Sequence, residues 1–140
     1  MVKKTEYKIY TERECKEEPY RKKVQLFGYV VGENAPVVLI CPGGAYKFIS
    51  DFNEGEPFAR EFNKRGINAF VLFYSVGYNA RYPRPVKDVA RSMQFIKANA
   101  SVLTEAIFLL WAALRAAIFA LSSLHNAKDT KPNTAARNTL

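Results

Sequence analysis

Two short apolar runs, separated by a stretch of helical periodicity, constrain the fold of this chain more than any other feature. Val37-Val-Leu-Ile40 and Ile67-Asn-Ala-Phe-Val-Leu-Phe-Tyr74 have the length and apolar character of strands that are buried on both faces. Between them, residues 54–65 carry apolar side chains at helical spacing, and Gly66 is placed as a C-terminal stop. A strand, a helix and a second strand predict a parallel pair joined by a crossover helix.

The same pattern continues on both sides of this unit. Residues 24–31 are rich in β-forming side chains and predict another strand, and residues 86–98 predict a second helix with one apolar face. Residues 1–23 form a charged N-terminal segment with a break at Glu17-Glu-Pro19. We therefore expect an α/β domain over residues 24–100, with a parallel-rich sheet and crossover helices.

Composition places the chain among globular proteins and limits the classes of partner that are expected for it. Of 140 residues, 49% are apolar and 14% aromatic, which suits one domain with a core. The net charge of +8 comes from Lys and Arg residues interleaved with Glu and Asp, so no nucleic-acid partner is expected. Two cysteines and one histidine predict neither a metal nor a cofactor. Without an apolar leader, a cytoplasmic location is expected.

A glycine-rich loop follows the first apolar run. Its sequence is Cys41-Pro-Gly-Gly-Ala-Tyr46 (the Gly-Gly loop). Residues with small side chains, such as glycine, let the main chain approach a substrate closely. Preorganised backbone N–H groups at such a place can stabilise the oxyanion that forms during ester hydrolysis. A Gly-Gly pair alone, however, is more typical of an ordinary tight turn.

The sequence around this loop makes the catalytic interpretation stronger. Residues 39–59 combine the Gly-Gly loop with a Ser and a Glu-Gly-Glu-Pro helix start, and the pattern continues through Phe70-Val-Leu-Phe-Tyr74 and Tyr82-Pro-Arg-Pro-Val-Lys-Asp88. Together these motifs resemble the acetyl-esterase and xylan-esterase-like branch of the α/β-hydrolases, within the lipase and esterase group. The resemblance covers residues 24–100 and implies the N-terminal half of a serine carboxylic-ester hydrolase.

The resemblance also implies roles for individual residues of the Gly-Gly loop. Gly43, Gly44 and Ala45 would form the oxyanion hole, with the backbone N–H groups of Gly44 and Ala45 as donors. Tyr46 would wall the substrate pocket, and the substrate of intact relatives would be a small ester such as an acetylated sugar. Ala45 stands where the family has a third glycine, which keeps the N–H group but narrows the approach.

Three polar residues near the loop are assigned structural rather than catalytic roles. Ser50 and Glu54 are expected to fix the loop and to cap the helix that follows. Asp88 is expected to be an anion in the first turn of the second helix rather than a member of a catalytic triad.

The catalytic serine that the family places next is missing. No Gly-x-Ser-x-Gly elbow occurs in the chain, and Ser122 and Ser123 lack its flanking glycines. The single histidine, His125, follows no nucleophile and fits a surface position. No catalytic residue is therefore identifiable, and we expect a truncated, inactive hydrolase that stops before the nucleophile elbow.

Residues 101–140 differ from the rest, with an apolar stretch at 106–121 and a polar tail. Back-translation of residues 108–119, read one base earlier, permits Val-Met-Gly-Cys-Ser-Ala-Gly-Gly-His, a nucleophile elbow where the family has one. Trp111 forces the first glycine of this string, and most other positions require particular codon choices. We hypothesise that the chain leaves the frame of an esterase gene near Ser101.

Two other classes of function remain open from the sequence. A small membrane-associated protein would use residues 102–121 to span or lie on a bilayer, although Arg115 would cost about 2.5–3.5 kcal/mol at a helix centre. A non-catalytic interaction module would use the Gly-Gly loop to bind an anion.

Overall fold

The computed structural model describes residues 1–99 and the backbone of residues 109–112. The strands are β1 (Lys4–Tyr7), β2 (Gln25–Tyr29), β3 (Val37–Cys41), β4 (Asn68–Phe73) and β5 (Leu109–Ala112), and the helices are α1 (Glu12–Glu17), α2 (Glu56–Lys64) and α3 (Arg84–Asn99). The five strands form one sheet in the order β1-β2-β4-β3-β5. Strand β3 is parallel to β4 and β5, whereas β2 is antiparallel to β1 and β4. The predicted α/β fold with a crossover helix is confirmed.

Two apolar clusters, one on each face of the sheet, form the core. All five residues of β3 are buried, as the continuous apolar run predicts, and their side chains alternate between the clusters. Leu39 and Cys41 belong to the cluster that contains Ile96 of α3. Ile40 belongs to the cluster that contains Ala59 of α2. The helices thus cover opposite faces, and β3 lies in the middle of the fold.

The charged segment of residues 1–23 is part of the sheet and core, although its sequence predicts neither a strand nor a buried residue. Strand β1 adds to the edge of β2, and Ile9 and Tyr20 are buried. Helix α1 begins with a capping box, in which Glu14 N–H donates to Thr11 Oγ1 at 3.3 Å and Thr11 N–H donates to Glu14 Oε2 at 2.8 Å. The polar composition of this segment hides both elements, because its few buried side chains are scattered among exposed charges.

Helix α2 begins two residues later than predicted, at Glu56 rather than Glu54. The reason is a π-helical turn over Asp51–Gly55, which precedes the regular helix. Asp51 Oδ1 accepts a hydrogen bond from Glu56 N–H at 3.2 Å. A Cβ atom on Gly55 would overlap this same carboxylate oxygen, so a larger residue there would displace the Asp51 side chain from this contact.

No helix of the described part of the chain is long and apolar enough to cross a membrane. The stretch 102–121 lies outside the described residues, apart from the backbone of β5. So do Ser122, Ser123 and His125 and the remainder of the tail.

Candidate functional site

The Gly-Gly loop leaves β3 at its carboxyl end, the edge of the sheet where α/β folds place their ligands. Three consecutive residues have positive φ: Gly44 at 140°, Ala45 at 53° and Tyr46 at 61°. Positive φ is uncommon for residues other than glycine, and such strain is concentrated at functional sites. The backbone of this loop therefore has the character expected of a site rather than of a connection alone.

Tight local hydrogen bonding determines the shape of the loop. The carbonyl oxygen of Gly44 accepts a hydrogen bond from Lys47 N–H at 2.9 Å, and that of Gly43 accepts one from Ser50 N–H at 2.9 Å. A Cβ atom on Gly44 would overlap the carbonyl oxygen of Phe48. Both its dihedral angle and this close approach therefore require glycine at position 44.

The backbone N–H groups of the Gly-Gly loop differ in whether they donate a hydrogen bond. Gly43 N–H donates to Glu54 Oε2 at 2.7 Å, so Glu54 fixes the loop as predicted. Among the described residues, no hydrogen bond uses the N–H group of Gly44 or of Ala45. The expected cap at Ser50 is wrong, because its side chain makes no capping hydrogen bond and only its backbone contacts the loop. Within the part of the chain that the structure describes, two adjacent N–H groups at this edge thus have no hydrogen-bond partner.

Residues 74–77, which follow β4 (the brace segment), support both ends of the Gly-Gly loop. Tyr74 Oη donates to the carbonyl oxygen of Pro42 at 2.7 Å, and Gly77 N–H donates to that of Tyr46 at 2.6 Å. The half-buried Tyr46 ring also packs edge-on against Tyr74, with 6.1 Å between ring centroids. Burial raises the pKa of Tyr74, so its hydroxyl stays a donor at neutral pH.

Asp88 is fully buried beneath the brace segment and was not expected there. It is the fifth residue of α3, which begins at Arg84, so the prediction of a first-turn anion is wrong. Its carboxylate accepts hydrogen bonds from Ser75 N–H at 2.9 Å, from Ser75 Oγ at 2.5 Å and from Tyr10 Oη at 2.7 Å. Burial nevertheless raises the pKa of Asp88.

The cysteine beside the loop and the grouping of possible metal ligands bear on what chemistry the described residues could add. Cys41 adjoins the loop, but burial raises the pKa of its thiol to about 12, and a thiol in that state is inert. Within residues 1–99, no group of three or more His, Cys, Asp or Glu side chains could hold a metal ion.

Comparison with known proteins shows what this chain is similar to. No family model matches the chain. Over 81 residues it is 38% identical to endo-1,4-beta-xylanase B of Butyrivibrio fibrisolvens, a match that covers 54% of this chain and 13% of that protein. The structure is similar to that of an α/β-hydrolase enzyme from a Medee basin deep-sea metagenome library, with a TM-score of 0.65 and 30% identity over 78% of this chain and 45% of that one. This chain has the fold of part of an α/β-hydrolase.

Two more solved structures share the α/β-hydrolase fold at lower identity. The acetyl ester-xyloside bifunctional hydrolase from Caldicellulosiruptor lactoaceticus has a TM-score of 0.67 and 19% identity over 80% of this chain and 43% of its own. A carboxylesterase from Lactobacillus plantarum has a TM-score of 0.60 and 19% identity over 80% of this chain and 41% of its own. The chain therefore spans less than half the length of each, and the predicted resemblance to part of an α/β-hydrolase is confirmed.

Proposed function

We propose that this α/β-hydrolase chain carries the oxyanion-hole half of a carboxylic-ester hydrolase, with the N–H groups of Gly44 and Ala45 as the two donors. The observation that carries the proposal is the contrast along the loop. Gly43 N–H is bonded to Glu54, whereas the described residues provide no partner for the next two N–H groups. Gly43 therefore anchors the hole rather than donating within it.

The chemistry that these donors supply is electrostatic. When a nucleophile attacks an ester carbonyl, the carbonyl oxygen becomes an oxyanion, and N–H groups already in place stabilise it without reorganisation. Removal of one such donor typically lowers kcat by about 10²–10³-fold. The hydrogen bonds to Pro42, Gly43 and Tyr46 hold the loop in its strained conformation before a substrate arrives.

The substrate that we propose is a small ester, with an acetylated sugar as the leading class. The Tyr46 ring is half-buried and packs against Tyr74, which suits a residue that walls an acyl pocket. Support for a sugar ester comes from the names of the similar proteins, an endo-xylanase and an acetyl ester-xyloside hydrolase.

The second half of the proposal is that the catalytic serine has been lost by a change of reading frame near Ser101. Its support is the neighbouring reading frame of residues 108–119, which permits a nucleophile elbow where the family has one. In that frame the codons of residues 109–112 permit Val-Met-Gly, which ends on the first glycine of the elbow, and the serine would be read across the codons of Ala113 and Leu114. The chain as it stands would then lack ester-hydrolase activity.

The test is hydrolysis of p-nitrophenyl acetate by the 140-residue chain, beside a chain whose codons after Ala100 return to the neighbouring frame and continue to the natural end of the gene. We expect turnover only from the restored chain, and none from its variant in which the elbow serine is alanine. Turnover by the 140-residue chain would contradict the proposed loss. Sequencing of the coding DNA gives a second check, since codons that cannot spell the elbow would overturn the frame change.

A further inference from the structure

The carboxylate of Asp88 is the one acidic group of residues 1–99 that is completely buried, and it contacts two other segments of the chain. It lies on α3 and accepts hydrogen bonds from Ser75 in the brace segment and from Tyr10 near the N-terminus. A buried carboxylate is costly unless hydrogen bonds satisfy it, so its presence calls for a function that an apolar residue would not serve.

We propose that Asp88 is a positioning residue for the oxyanion hole and acts through Ser75. The proposal rests on the proposed function only in the role given to the Gly-Gly loop. Asp88 Oδ2 binds both donors of Ser75, its N–H and its Oγ. This paired contact holds the backbone of Ser75 as well as its side chain, and so it sets the position of the brace segment.

The brace segment transmits this position to both ends of the Gly-Gly loop. Tyr74, immediately before Ser75, donates to the carbonyl oxygen of Pro42 at 2.7 Å. Gly77, two residues after Ser75, donates to the carbonyl oxygen of Tyr46 at 2.6 Å. Because the donors at 44 and 45 lie between these two points, a shift of the brace segment changes where their N–H groups point.

The two oxygens of Asp88 separate this role from simple stabilisation of the core. Oδ2 accepts both hydrogen bonds from Ser75, which lies in the brace segment beside the Gly-Gly loop. Oδ1 accepts the hydrogen bond from Tyr10, which lies in the N-terminal segment. Tyr10→Phe therefore removes a hydrogen bond from the same carboxylate without touching the path to the loop. It is the matched control for Ser75→Ala and Asp88→Ala.

The experiment measures amide hydrogen exchange in the full chain by NMR. We expect Ser75→Ala and Asp88→Ala to speed exchange of the Gly77 amide by about tenfold or more and to move the Gly44 and Ala45 resonances. Tyr10→Phe should leave both unchanged once global stability is taken into account, with amides of β3 as the reference. If Asp88→Ala does not fold, Ser75→Ala decides the outcome.

Unchanged Gly77 exchange in Ser75→Ala, or an equal change in Tyr10→Phe, would overturn the positioning role. Neither of these exchange measurements depends on turnover. Failure of the positioning role can therefore be distinguished from failure of the proposed function. An inactive restored chain would remove the oxyanion assignment alone, whereas slow Gly77 exchange in Ser75→Ala would remove the link from Asp88 alone.

Discussion

At the scale of single residues, this chain uses buried polar groups to hold backbone turns in place. Asn68, at the start of β4, is a second example beside Asp88. Its Oδ1 accepts from Val31 N–H at 2.7 Å, and its Nδ2 donates to the carbonyl oxygen of Gly32 at 2.7 Å. One side chain thereby supplies both a donor and an acceptor to the turn between β2 and β3. Loops far apart in sequence are fixed by such contacts.

Gly44→Ala should destabilise the fold. The residue has φ of 140°, and an added Cβ atom would meet the carbonyl oxygen of Phe48, so we expect a loss of about 1–3 kcal/mol in the free energy of unfolding. Urea denaturation measures it. Gly32→Ala is the control, because nothing lies within 4 Å of its Cβ position. Equal stabilities for the two variants would contradict the need for glycine at 44.

Glu56→Gln should reduce stability in a pH-dependent manner. Hydrogen bonds from Arg60 Nε and Nη2, at 2.8 and 2.6 Å, are the main reason that the pKa of Glu56 is lowered from 4.5. The carboxylate thus contributes stability above pH 4.5, and this contribution is lost as the pH falls through the lower folded-state value.

Because the Glu56 side chain is 36% exposed, we expect a difference of only about 1 kcal/mol at pH 7. Chemical denaturation across the acid range measures it, with the exposed Glu33→Gln as control. A difference that grows as the pH falls would contradict the assignment.

At the scale of elements, the N-terminal strand and helix are part of the domain rather than an appendage. We expect a chain that starts at residue 24 to lose cooperative unfolding, because the edge of β2 becomes unpaired and the core loses Ile9 and Tyr20. Circular dichroism during heating measures it. Replacement of the exposed Lys22 and Lys23 by Gln tests charge alone and should leave the melting temperature nearly unchanged. A cooperative transition in the shortened chain would contradict this.

At the scale of the whole molecule, the sheet depends on a strand from the atypical tail. Strand β5 pairs with β3 from Val38↔Leu109 to Cys41↔Ala112, so without it the most buried strand becomes an edge. We expect a chain that ends at residue 99 to self-associate, whereas a chain that ends at residue 120 retains the pairing. Sedimentation velocity distinguishes them. A monomeric chain of residues 1–99 with an unchanged melting temperature would show that β5 is dispensable.

Much of this architecture could be predicted from the sequence because it depends on local composition. The continuous apolar run at residues 37–40 predicted a strand buried on both faces, and all of its residues are buried. The helical spacing between the two apolar runs predicted the crossover helix α2. The Gly-Gly loop was identified from its paired glycines, and the positive φ and close backbone approach at Gly44 explain why glycine stands there.

The tertiary structure alone decided the contacts that hold the candidate site together. Asp88 meets Tyr10 across 78 positions of sequence and Ser75 across 13, and neither partner has a local signal. The N–H group of Gly43 donates to Glu54, whereas the described residues give the N–H groups of Gly44 and Ala45 no partner; this difference depends on how the turn over Asp51–Gly55 approaches the end of β3. Local pattern determines which side chains must leave water, because burial depends on each residue's own apolar surface. Which polar groups then pair is decided by the packing of the whole sheet and its helices, because every buried donor and acceptor must find a partner where packing places it.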